Sequence, residues 1–179
     1  MGTKASDISA GTNACRRIVA IGGMTKSELL DRLRAGSIAL NRYAEIIFNS
    51  DSFVTSNMEF QVSTVELDVQ ELGFPQGATL ADVLAKAATI GLGYCPLELG
   101  PHLRLQYVDQ PEGAIGQAPR PHRTPPGAIV IVSEPLKEED GFPRGFYLRR
   151  IDGVLWLRGY CSPIDHLQSP DDQLLFREL

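Results

Sequence analysis

Phe146-Tyr147-Leu148-Arg149-Arg150-Ile151-Asp152-Gly153-Val154-Leu155-Trp156-Leu157-Arg158-Gly159-Tyr160 reads as two strands joined by Asp-Gly. That dipeptide accepts the positive φ angles of a type I′ turn, whose twist matches a two-residue hairpin. The turn fixes the register: Ile151 faces Val154, Arg149 faces Trp156, and Tyr147 faces Arg158, all on one sheet face. Phe146, Leu148, Leu155 and Leu157 then point the other way, as a core face.

Around the hairpin, Ile129-Val130-Ile131-Val132 is a short apolar run suited to a strand covered on both sides, and Gln173 to Arg177 is a further short strand. Upstream, Val65, Leu67 and Val69 alternate with polar residues, the period of a half-buried strand. Helical grammar lies on either side of that strand. Thr25 and Glu28 form a capping box before Leu29, Leu30 and Leu33, with Gly36 as the stop. A second short helix is expected from about Leu40 to Phe48, with Ala44, Ile47 and Phe48 inward. Thr79 and Asp82 open a third, with Leu80, Val83, Leu84, Ala87 and Ile90 as its apolar face and Gly91 at its end. Few of the later connections have room for crossover helices. The expected class is therefore α+β, with the N-terminal helices and one central helix packed over one face of a mostly antiparallel sheet.

The 179 residues suit one domain, expected over 24–179, with residues 1–23 as a disordered leader or the product of a start assigned ahead of Met24. Residues 111–127 are dense in Pro and Gly and read as an excursion between strands, with His122 solvated within it. Cys95 to Pro101 reads as a rigid connector leading into a strand over His102 to Val108.

Net charge −5 argues against a surface that neutralises many phosphates, so nucleic acid is not an expected partner. No apolar run reaches the roughly 18–20 residues that span a bilayer. Cys15, Cys95 and Cys161 form no C-x-x-C pair, which fits neither a zinc site nor a disulfide framework and points to the cytoplasm. Neither G-x-x-x-x-G-K-[ST] nor a strand-borne G-x-G-x-x-G occurs, so no nucleotide cofactor is expected.

Two constellations could carry function. On the hairpin, Tyr147, Arg149, Trp156 and Arg158 form an Arg/aromatic face that suits a protein partner or a small anionic ligand, because guanidinium grips carboxylate and phosphate and packs on rings. If the strand from His102 joined the sheet, Arg104 and Gln106 would extend that face. The competing reading pairs these arginines with acids of the chain, Glu98 and Asp109 among them. The second constellation is Asp165, His166, Asp171 and Asp172, a ligand set for a metal-dependent hydrolase or nuclease; its local alternative is an Asp-rich turn. Cys161 with His166 could also be written as a nucleophile and base.

The segment Cys95-Pro96-Leu97-Glu98-Leu99-Gly100-Pro101-His102-Leu103-Arg104-Leu105-Gln106-Tyr107, followed by Asp109-Gln110-Pro111, resembles a family of small bacterial proteins of unassigned function. The likeness continues at Leu155-Trp156-Leu157 and through Asp165-His166-Leu167-Gln168-Ser169-Pro170-Asp171-Asp172, with Phe176 nearby. It implies one domain from about Met24 to Arg177, with residues 111–127 as an insertion, and brings no catalytic residue. Together these readings give a non-catalytic binding module, with the metal-dependent hydrolase or nuclease as the alternative.

Overall fold

The computed structural model describes residues 14–113, 124–139 and 141–179. In chain order these form β1 (Cys15–Ile21), α1 (Lys26–Ala35), β2 (Ala39–Leu40), α2 (Arg42–Asn49), β3 (Phe60–Asp68), β4 (Ala78–Thr79), α3 (Leu80–Thr89) and β5 (Leu92–Gly93). There follow α4 (Leu99–Gln106), β6 (Ile129–Ile131), β7 (Gly145–Ile151), β8 (Val154–Tyr160), β9 (Leu167–Gln168) and β10 (Gln173–Glu178). The class is α+β. One sheet runs in the order β1-β3-β10-β6-β7-β8-β2, with β5 also on β10. Most pairings are antiparallel, while β10 with β6 and β2 with β8 are parallel.

The hairpin has the expected register, with Tyr147 opposite Arg158, Arg149 opposite Trp156 and Ile151 opposite Val154. Asp152 (φ 49°) and Gly153 (φ 78°) both take the left-handed conformation of the type I′ turn. The Thr25–Glu28 capping box forms at α1, and Thr79 accepts from the Asp82 amide at α3. Gly36 caps α1, but the left-handed residue after it is Ser37 (φ 53°). The second helix begins slightly later than expected, because the Asn41 side chain accepts from the Ala44 amide and takes the N-cap.

Three expectations are corrected. First, the leader reading fails for residues 14–23, because β1 pairs with β3 along its whole length and buries Val19 and Ile21. Isolated from a partner, Ile18-Val19-Ala20-Ile21 is too short to declare itself, whereas alongside β3 it completes a sheet. Residues 1–13 lie outside the described residues. Second, His102 to Val108 is no strand: α4 runs through it to Gln106. Pro101 falls in the first turn of that helix, where its missing N–H costs nothing. Third, helices lie on both faces. Apolar residues of α1, α2 and α4 share a core with Val62, Ile131, Phe146, Leu148, Leu157 and Leu175. Val83 and Ala87 of α3 pack on the opposite face with Val65, Leu67, Leu174 and Phe176.

The ends of the Pro-rich excursion meet: a Cβ on Gly113 would lie 2.0 Å from the Pro126 carbonyl oxygen, so this crossing admits only glycine. Most of that excursion, His122 included, falls outside the described residues.

Candidate functional site

The Cys95–Tyr107 segment is where the polar side chains are spent inside the molecule. Glu98 is buried and accepts from the Ser56 amide (3.0 Å) and hydroxyl (2.5 Å), fixing the loop before β3. One helical turn on, buried His102 accepts from the Gly22 amide at Nε2 (3.1 Å), which requires that nitrogen to be unprotonated. Burial also holds the His102 pKa below its ordinary value, outweighing the opposing pull of Glu98. A further turn on, Gln106 donates to the Ala20 carbonyl (2.7 Å) and accepts from the Ala20 amide (3.3 Å), so its amide occupies the outer edge of β1. Gly100 lies under Phe146, where a Cβ would approach the ring to 2.6 Å.

Arg104 is fully enclosed, at 0% exposure. It donates to the Gln110 side-chain oxygen and the Tyr107 carbonyl, while Gln110 donates onward to Gly127 (3.1 Å) and Leu148 (3.3 Å) carbonyls. Burial without a carboxylate partner pushes its pKa down to about 10. Arg104 and Gln106 are thus corrected as ligand-face residues. They belong to a helix on the Phe146/Leu148 side of the sheet, and both are committed to internal bonds.

The hairpin face is different. Tyr147, Arg149, Trp156 and Arg158 lie outside both apolar clusters, with Tyr147 itself buried and the other three half-buried. The Arg158 guanidinium lies 4.9 Å from the Trp156 ring centroid and 5.9 Å from that of Tyr147, a cation–π arrangement on two rings. Tyr160 continues the row, its ring 6.4 Å from Tyr147 and tilted edge-on. Neither Arg149 nor Arg158 has an acidic partner among the described residues; the Nε of each, like that of Arg104 and Arg150, is buried without a hydrogen bond. Pairing with an acid is the fate of the neighbour Arg150, whose Nε is 3.8 Å from Glu112.

A cavity of about 330 Å³ opens on this face. Leu80, Val130 and Tyr147 are among its apolar lining residues, and Arg158, Tyr160 and His166 line it as well. No Asp or Glu lines it among the described residues. Burial raises the Tyr160 pKa to about 12, so its phenol stays protonated. The volume sits at the lower end of small-molecule sites, about 300–1,000 Å³.

The C-terminal acids do not assemble. Among the described residues no three His, Cys, Asp or Glu side chains form a metal-holding group. Asp172 is buried; its carboxylate accepts from the Ser169 amide (2.8 Å) and its own amide donates to the Ser169 carbonyl (3.0 Å), closing a local turn, and burial raises its pKa. Asp165 and Asp171 are exposed, and His166 belongs to the cavity wall instead. Cys161 also lines that wall, but burial raises its thiol pKa, the opposite of an activated nucleophile. Cys95 is buried with its pKa pushed up to about 12. Among the described residues no helix is long and apolar enough to cross a membrane.

No family model, curated protein or solved structure matches the chain.

The cavity therefore unites members of two groups that sequence reasoning held apart, Tyr147 and Arg158 from the hairpin and His166 from the C-terminal segment. The link is β9 (Leu167–Gln168), which pairs with β4 and carries the C-terminal segment past the start of α3. Two-residue strands have no periodicity to read, so nothing in the sequence signalled it. Val130 and Leu174 were legible as strand residues, but their place beside Tyr147 depends on β6 lying between β10 and β7.

Proposed function

We propose that this protein is a binding module whose hairpin face and adjoining cavity take a small anionic ligand. One observation carries this reading: Arg158 is packed on two aromatic rings at the edge of a concave site and has no carboxylate partner among the described residues. An arginine held so, with its planar donor fork already oriented, loses little entropy on gripping an oxyanion. Concavity favours a small ligand over a flat protein surface, and net charge −5 disfavours nucleic acid. In the same reading the protein acts in the cytoplasm, consistent with its free cysteines, and stands with the small bacterial proteins that share its Cys95–Tyr107 stretch. No catalytic group is assigned, since the cavity's thiol is not activated and the C-terminal acids do not converge among the described residues.

Thermal unfolding with citrate, benzoate and inorganic phosphate tests this. A ligand at a hundred times its Kd stabilises by about 2.7 kcal/mol, or about 5–10 °C in Tm for a chain of this size. At least one of these anions is expected to raise Tm by that order, and Arg158→Met to remove the rise. Equal shifts in the two proteins would remove Arg158 from the site.

A further inference from the structure

We propose that the preferred ligand is an organic monocarboxylate with an apolar or single-ring body, its carboxylate on Arg158 and its body against Val130 and Tyr147. The assignment rests on the anion-binding reading above and narrows it by charge, donors and size. Arg158 is the one arginine or lysine among the described lining residues. A bidentate guanidinium matches a single carboxylate; a phosphate dianion would bring a second charge into a half-enclosed site that offers no second guanidinium or ammonium among the described residues.

Phosphate sites commonly recruit the free N–H groups at a helix N-terminus. Here α3 begins at the cavity wall with Leu80, but its first donors are already taken. The Leu80 amide donates to the His166 carbonyl (3.1 Å), Ala81 to Ile164 (3.2 Å) and Asp82 to the Thr79 hydroxyl (3.2 Å). The helix end is thus closed to a ligand. Tyr160 also lines the cavity, its ring edge-on to Tyr147. A volume near 330 Å³, at the lower end of the range for small-molecule sites, has room for a ring acid.

Isothermal titration calorimetry of the full chain with phenylacetate, phenylacetamide, acetate and inorganic phosphate tests the assignment. Phenylacetate is expected to bind at least about tenfold more tightly than any of the other three, since the amide lacks the charge and acetate lacks the body. Arg158→Met should weaken phenylacetate at least about tenfold. Arg158→Lys, which keeps the charge and loses the fork, should recover only part of it. Phosphate binding more tightly than phenylacetate, and lost in Arg158→Met, would overturn the monocarboxylate assignment and keep the anion site. Absence of binding by phenylacetate, acetate and phosphate alike would overturn both.

Discussion

Arg104 is bonded to Gln110 and to the Tyr107 carbonyl of its own helix end, whereas Arg158 rests on two rings beside open space. The contrast extends to His102 of α4 and to Glu98 at its N-cap, which hold the Gly22 turn and the Ser56 loop rather than any outside group. His102 makes this visible to pH. Its folded pKa lies below the ordinary value of 6.5, so on acidification the unfolded chain takes up the proton first. Stability from His102 is therefore complete above about pH 6.5 and declines as pH falls toward its folded value. Burial raises the pKa of Asp68 and Asp172, so they act in the opposite sense, and they are common to any comparison with a His102 variant. Urea unfolding between about pH 7 and about pH 5 should show a steeper loss for the native chain than for His102→Gln. Parallel profiles would mean that the histidine is not held neutral by its burial.

Two sheet edges are finished by side-chain amides. Gln106 bonds both backbone groups of Ala20 on β1, and Asn41 bonds both backbone groups of Gly159 on β8 at 2.7 and 2.9 Å. Each amide presents the donor and acceptor of one strand residue, which closes the edge at that point against pairing with another chain. Elements with purely local signals were legible in the sequence. The hairpin follows from Asp152-Gly153, α1 from its capping box and α3 from Thr79. The α4 segment was misread because Leu103, Leu105 and Tyr107 satisfy a period of two, while the helical spacing of Leu99 and Leu103 becomes decisive only against a sheet. β1 was missed for the related reason that its partner β3 is distant in sequence. Removing β1 should be costly, since Val19 and Ile21 are each wholly buried and such side chains contribute about 1.5–3 kcal/mol apiece. A chain starting at Met24 should lose about 3–6 kcal/mol in urea unfolding, much of the roughly 5–15 kcal/mol of an ordinary domain. Unchanged stability would show that β1 is dispensable.

Across the molecule, α1, α2 and α4 cover one face of the sheet, and α3 covers the β3 and β10 part of the other. The Tyr147, Arg149, Trp156 and Arg158 surface lies outside both cores, and the cavity forms where it meets the start of α3 and the C-terminal segment. The hairpin half of this site follows from a two-residue turn; the other half depends on strand order and on β9, which no local pattern encodes. The proposed function divides labour between two arginines, Arg104 bonded within the fold and Arg158 taking the anion. Side-chain Nε–H resonances of arginine, assigned with Arg104→Met and Arg158→Met and followed through a titration with phenylacetate, test it most directly. The Arg158 resonance should move saturably while that of Arg104 stays in place; a shift at Arg104, or none at Arg158 as the ligand binds, would contradict it.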